Sequence, residues 1–297
     1  MSVVGCELIN MNLNEWLQRA TKEHWALGHF NISNLEQLCA LCDAAKECSS
    51  PLLIGTSEGE RDFIGLRQAV ALVQAFKEES GLPLFLNADH SKSVESAKKA
   101  IDAGYNSIHI DLSVAPFEEN MRGTKEVVEY AQAKNQEMSI EGELGYLRGS
   151  STIQDVAIEV KPEDYTDPAQ AAEFVKQTSI NRLAIAVGNI HGISLNEPAI
   201  DLERINAIRQ AVPDEVVLVL HAASGIPDEI IRASIGAGIA NIHINTEIRV
   251  IFSQELRSFL AANPNETTPY KLYGQAMTAM KNKVKEKLQI FGSCDKV

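Results

Sequence analysis

Of the seven histidines in this chain of 297 residues, three are placed where they could act together. His90 follows the run PLFLNAD (83–89), His221 ends the run VVLVLH (216–221), and His191 falls just past RLAIAV (182–187) in GNIHG. Each run is short and rich in apolar or β-branched residues, the pattern of a buried strand. Imidazoles at the ends of three parallel strands converge on one face of the sheet. Three nitrogen ligands there make a tetrahedral zinc site with one position open to substrate, the arrangement of a catalytic rather than a closed structural site. A single histidine is usually a satisfied core residue, but three at matched strand ends, with the acid Asp89 beside the first, are not accounted for by packing. His109 and His243 lie inside strand-like runs and suit interior or supporting roles. His24 and His29 carry no comparable pattern.

The elements that must position these residues alternate regularly. Strand candidates are ALGHFNI (26–32), PLLIGT (51–56), PLFLNAD (83–89), SIHID (107–111), EMSIEGEL (137–144), RLAIAV (182–187), VVLVLH (216–221) and NIHIN (241–245). Helical patterns such as SVESAKKAIDAG and PDEIIRASIGAG separate most of them. Strict alternation implies parallel strands with right-handed crossovers, and eight of them suit a closed barrel better than an open sheet. The expected fold is α/β, a single (β/α)8 TIM barrel over residues 1–297 with its site at the C-terminal ends of the strands. No glycine-rich dinucleotide fingerprint follows the first strand, and no solenoid repeat interrupts the chain. The longest irregular stretch, about residues 145 to 168, is expected to cover the site as a mobile loop.

Composition narrows the partners. A net charge of −13 disfavours a broad nucleic-acid surface, so a phosphate ester would have to be met locally by a metal, an arginine, or helix N-termini and backbone amides. Hydrophobic residues make up 45% and charged residues 23%, with no apolar run of membrane-spanning length. The opening MSVVGCELINMNLNEW lacks a secretory pattern, so a cytoplasmic location is expected. The five cysteines are odd in number and lack a framework spacing; Cys39 and Cys42 form a C-x-x-C on a helical pattern and read as ordinary helix residues. Gly192, Ser224, Gly225, Asn245 and Thr246 follow strands six, seven and eight, where barrels often bind phosphate, although ordinary turn chemistry would use the same residue types.

Segments along nearly the whole chain resemble a known family. PLFLNADHSKS resembles the metal-binding D-H segment of the class II fructose-bisphosphate and tagatose-bisphosphate aldolases, and SIHIDLSVAPFEEN the strand segment after it. IEGELG is similar to that family's E-x-E-L-G, AVGNIHG to G-x-x-H-G, VLHAASGIPDE to L-H-G-x-S-G, and HINTEIR to N-x-x-T-[DE]; GHFNISNLEQ and LLIGTSEG are similar as well. The resemblance implies that His90, His191 and His221 hold zinc, that Glu143 is an alternate ligand or lies near the metal, and that Asp89 is the general acid/base. It makes Ser57 a phosphate contact and Arg249 a candidate for the distal phosphate, against the plainer reading of an exposed helix arginine. It implies a ketose 1,6-bisphosphate as substrate, cleaved to dihydroxyacetone phosphate and an aldehyde, a monovalent cation beside the phosphate, and a homodimer or homotetramer. Fructose 1,6-bisphosphate is the expected sugar and tagatose 1,6-bisphosphate the alternative.

Three positions depart from the family pattern. Ala222 stands where glycine is usual after the third zinc histidine, and its methyl would crowd an approaching phosphate oxygen. His243 replaces a common substrate-facing Asn. The loop YLRGSSTIQDV lacks the glutamate that moves the second proton, leaving Asp155 and Glu159 as candidate carriers, with Glu143 a third. Two rivals share the fold: a non-catalytic aldolase-like subunit, whose signature would be lost metal ligands, and a zinc hydrolase, which would use metal-bound hydroxide instead of a carbonyl chelate.

Overall fold

The computed structural model describes residues 11–193 and 199–297. In chain order the first half holds α1 (Leu13–Glu23), β1 (Leu27–Asn31), α2 (Leu35–Cys48), β2 (Leu52–Thr56), α3 (Glu58–Ile64), α4 (Leu66–Ser80), β3 (Leu84–Ser91), α5 (Val94–Ala103), β4 (Ser107–Ile110) and α6 (Phe117–Lys134). Then follow β5 (Ser139–Leu144), β6 (Gly149–Ile153), α7 (Pro168–Thr178), β7 (Arg182–Ile185), β8 (His191–Ile193), α8 (Leu202–Ala211), β9 (Val217–Leu220), α9 (Asp228–Gly236), β10 (Ile239–Ile244), α10 (Thr246–Ala262), α11 (Pro269–Leu272) and α12 (Gly274–Phe291).

Eight parallel strands close into a barrel in the order β1-β10-β9-β7-β5-β4-β3-β2, and these are the eight runs expected from the sequence. Every residue of β1 and β2 is buried, because helices cover the outer face while the strands close on the inner one. Helix starts are set locally: Asn12 and Glu15 form a capping box on α1, and Asn34, Ser93, Asp167 and Asp201 cap α2, α5, α7 and α8. The main apolar core lies between barrel and helices. A smaller one joins Trp16, Leu17 and Ala20 of α1 to Leu27, Leu53, Phe85, Val217 and Ala240, contributed by five barrel strands or the residues beside them, so α1 seals the N-terminal end.

The barrel interior itself is polar. The Arg182 guanidinium donates to Ser139 Oγ at 3.2 Å, Asn241 Oδ1 at 2.9 Å, Asn87 Oδ1 at 3.3 Å and Ser107 Oγ, and pairs with Glu141 Oε2 at 2.6 Å. Both members of that ion pair are fully buried, so each relies on the other and on these hydrogen bonds for charge compensation.

The stretch expected to be irregular is partly ordered as strand. β6 pairs in parallel with β8, forming a two-stranded sheet outside the barrel, and a 3-10 turn follows at Pro162–Asp164. His191 therefore sits on this accessory strand and not at a barrel strand's end.

Candidate active site

Asp89 and His90 are neighbours, and in a regular strand they would point to opposite faces. The pairing of β3 with β4 shifts register between Ala88 and Ser91, and His90 adopts a left-handed φ of 45°. This bulge turns both side chains toward the same mouth, the use to which bulges are put beside active sites. His90 N–H donates to His109 Nδ1 at 3.2 Å, and His90 Nδ1 lies 2.9 Å from Asp111 Oδ2. His221, one residue beyond β9, places Nε2 2.5 Å from Glu141 Oε1. The ring of His90 is 4.9 Å from that of His221 and 5.2 Å from that of His191, centroid to centroid.

Below them, the His243 ring packs 4.0 Å from His221 and stacks 3.6 Å above His29. Glu143 Oε2 is 3.1 Å from His109 Nε2 and 3.9 Å from His90 Nδ1. Asn31 Nδ2 donates to Asp89 Oδ2 at 3.0 Å, while Asp89 Oδ1 is buried without a hydrogen-bond partner.

Charge follows from this crowding. Burial raises the Asp89 carboxyl, but the charge of His90 and the His109 and His243 rings, whose Nδ1 atoms lie 3.7 and 3.6 Å from Oδ1, outweigh it and hold the group well below the usual carboxylate range. Burial lowers His90, and Asp89 with the Asp111 hydrogen bond more than reverses it. His191 meets the cavity at its edge yet is packed enough that burial, reinforced by His90 and His221, pushes it down to about 3. Asp89 is thus ionised and His191 neutral near pH 7.

Of the residues singled out from the sequence, Asp89, His90, His191, Gly192, His221, Ala222, Ser224, His243, Asn245, Thr246, Ser57 and Arg249 all line one cavity of about 120 Å³. A wider cavity of about 500 Å³ adjoins it, sharing Ser57, His90 and His191 and adding Glu143 and Asp111. Gly225 lies outside both and shapes the turn after Ser224 with a φ of 82°. Asp155 and Glu159 are exposed and line neither cavity. Ser224 Oγ accepts the Glu247 N–H at 3.2 Å at the start of α10, and Asn245 and Thr246 open the same helix, whose N-terminus suits an anion. Arg249 Nη1 donates to Ser151 O at 3.2 Å, joining α10 to β6. Asn31, Glu60, Arg61 and Glu141 also surround the site without having been singled out. For Glu141 a signal existed, since strand alternation places it on the same face as Glu143.

The family model for class II fructose-bisphosphate aldolases matches residues 11–296. The chain belongs to that family. It is 38% identical over 289 residues to a fructose-bisphosphate aldolase of Geobacillus stearothermophilus, covering 96% of this chain and 98% of that protein. The crystal structure of the YdjI aldolase from Escherichia coli K12 superposes with a TM-score of 0.82 at 34% identity, over 96% of this chain and 98% of that one. A fructose-bisphosphate aldolase from Campylobacter jejuni, 19% identical, has the same fold at a TM-score of 0.82, over 96% of this chain and 95% of that one. The aldolase described here is accordingly a carbon–carbon lyase with the (β/α)8 barrel of its relatives.

Class II aldolases are generally zinc-dependent, and the donor set in this one fits a metal. Four groups of three or more ligating atoms lie within 4.8 Å of one another, among them Asp89, His90, His109 and His221, and His90, Asp111 and Glu143; His191 is in none of the four. In His90 and His221 one ring nitrogen faces a carboxylate, which orients the ring and leaves the other nitrogen's lone pair available, the usual outer-shell device at metal histidines. Among the described residues no helix is long and apolar enough to cross a membrane.

Proposed function

We propose that this aldolase is zinc-dependent and cleaves fructose 1,6-bisphosphate reversibly into dihydroxyacetone phosphate and glyceraldehyde 3-phosphate. The observation that carries this reading is the gathering of His90, His191, His221 and the buried carboxylate of Asp89 around one small cavity that also reaches the N-terminus of α10. Zinc held by His90, His191 and His221, with Glu143 beside it, would supply a Lewis acid that polarises the ketose carbonyl and stabilises the charge left when the C3–C4 bond breaks.

Asp89 takes the C4 hydroxyl proton as that bond breaks and returns it to the aldehyde oxygen in condensation. Its Oδ2 is bonded by Asn31, and its Oδ1 makes no hydrogen bond within the protein. Gly192, Ser224, Asn245 and Thr246 offer a phosphate the backbone amides and helix start it needs. Ser57 and Arg249 flank the same cavity and suit the phosphate contacts. For the second proton, Asp155 and Glu159 reach the substrate only if the loop closes over it, whereas Glu143 is already inside the mouth.

The deciding experiment is a coupled assay of fructose and tagatose 1,6-bisphosphate with and without chelator. Chelator-sensitive formation of two triose products from the fructose ester is expected. Preference for the tagatose ester would reassign the sugar, and phosphate release without trioses would replace the aldolase reading by hydrolysis.

A further inference from the structure

The short helix α3 presents two charged residues to the back of Asp89 that the reaction described above does not use. Arg61, 4% exposed, donates from Nη1 to the carbonyls of Thr56 at 2.6 Å and Asp89 at 3.0 Å, tying the C-terminal ends of β2 and β3 together. Glu60 acts on the side chain. The Asn31 carboxamide nitrogen lies 2.9 Å from Glu60 Oε2 and 3.0 Å from Asp89 Oδ2. An ionised carboxylate only accepts, so both partners demand the NH2 end of the amide, and its two hydrogens are both used. That fixes the orientation of Asn31, and with it which oxygen of Asp89 is engaged: Oδ2 is held by the amide, and Oδ1 makes no hydrogen bond.

We propose that Glu60 is a positioning residue for Asp89, acting through Asn31 to keep one carboxylate oxygen aligned with the reacting hydroxyl; this rests on the acid/base role given to Asp89 above. Without Glu60 one Asn31 hydrogen loses its acceptor, the amide is free to turn, and Oδ2 loses the bond that orients it. The simpler role for Glu60 is a helix cap, since its Oε2 also accepts the Ser57 N–H at 2.7 Å. The two roles separate by reaction step. Cleavage needs the Asp89 proton transfer, whereas exchange of the dihydroxyacetone phosphate C3 proton with solvent does not.

The test measures kcat and KM for bisphosphate cleavage, dihydroxyacetone phosphate exchange in D2O, zinc content and thermal midpoint in Glu60→Ala, Glu60→Gln and Glu60→Asp. Misalignment of an acid/base predicts a fall in cleavage kcat of about 10- to 100-fold in Glu60→Ala, with exchange and zinc content close to those of the unmodified enzyme. Glu60→Gln keeps an acceptor oxygen for Asn31 and Ser57 and should stay within about threefold of the unmodified enzyme, a difference near 0.7 kcal/mol. Glu60→Asp keeps the charge at the helix start but is about 1.5 Å shorter, and should fall as Ala does.

Unchanged cleavage in Glu60→Ala would leave only the cap, and a parallel loss of cleavage and exchange would show that Glu60 does not act through Asp89. If Glu60→Ala does not fold, equal turnover in the Gln and Asp variants overturns the proposal. An unmodified, zinc-loaded enzyme that neither cleaves nor exchanges would instead remove the functional reading beneath it.

Discussion

On the β3–β5 side of the mouth, Asp89, His90, His109 and Glu143 are held through their side chains. His90 Nδ1 meets Asp111 at 2.9 Å, His109 Nδ1 accepts the His90 backbone N–H at 3.2 Å, and the Asp89 carboxylate is bonded by Asn31 at 3.0 Å. Opposite them, His191 and Gly192 are held mainly through the backbone. His191 N–H donates to Arg148 O at 2.9 Å, its carbonyl accepts from Gln154 Nε2 at 2.5 Å, and its ring makes no hydrogen bond to a described residue. A Cβ at Gly192 would lie 2.3 Å from the carbonyls of both Ser150 and Thr152, so this side depends on a glycine for its close backbone packing. One side presents an already aligned carboxylate and imidazole; the other brings an imidazole and backbone amides on an accessory sheet that lies outside the barrel. Rigid strand ends suit the groups that must be placed accurately for proton transfer, and a separately hung segment suits groups that close on a substrate.

Metal removal tests whether the two sides meet at one ion, and it should have the largest effect. Chelation is expected to abolish cleavage and zinc or cobalt to restore it, as read by the coupled assay; full activity in a verified metal-free preparation would break the comparison at its root. Asp89→Ala tests the strand side alone. Turnover should fall by about 10² to 10⁴ while zinc content is retained. Near-normal turnover in that variant would remove Asp89 from its role.

The support beneath the strand side can be tested separately. Arg182→Met leaves Glu141 buried without its cation, and Glu141 in turn holds His221. Burial raises the Glu141 carboxyl, and the Arg182 charge is the first of the influences that bring it well below its usual range. Breaking a buried pair by removing one partner costs about 3–5 kcal/mol. Denaturant titration should show a loss of that order, and an unchanged midpoint would mean that the polar interior is not what holds the strand ends in place.

The eight barrel strands were legible in the sequence because each reads as a short run rich in apolar or β-branched residues, alternating with helical patterns. His90 and His221 were legible for the same reason, since each ends such a run. The β6–β8 sheet was not, because GSSTI and HGI are short, polar and without alternation, and pair only by virtue of where the barrel delivers them. His29 gave no signal, yet it stacks under His243; that contact joins β1 to β10, which lie more than two hundred residues apart in the chain and become neighbours only on closure. Glu60 and Arg61 were not singled out, because nothing local in the sequence shows that α3 lies behind Asp89.

A smaller effect is expected at Ala222, which lies between the two sides. Its φ of 57° is a left-handed conformation that costs a residue with a Cβ about 1–2 kcal/mol. Ala222→Gly relieves that strain but loosens the unfolded chain, so a net gain of about 0.5–1 kcal/mol is expected by thermal denaturation. It also clears the methyl from the cavity wall, so KM should fall slightly. A destabilised variant would show that the methyl packs favourably there and that crowding is not the cost.

The smallest effect belongs to the loop acids. Asp155 and Glu159 follow β6, beyond the point where Gln154 N–H bonds Ile193 O at 2.9 Å, and both are exposed. Nearer the barrel the segment is anchored by Arg148, whose guanidinium meets Asp164 with contacts of 2.5 and 2.9 Å. To move the second proton, either acid would have to swing into the mouth while β6 stays paired with β8. An exposed carboxylate that spends most of its time in water can be replaced by a water molecule at little cost. Asp155→Ala and Glu159→Ala should therefore each change exchange of the dihydroxyacetone phosphate proton with solvent by less than about threefold, well short of the 10²- to 10⁴-fold contribution of a positioned acid or base. A tenfold loss in either variant, with zinc content unchanged, would show that the loop closes on the substrate and carries the second proton, making this side of the mouth as chemically committed as the other.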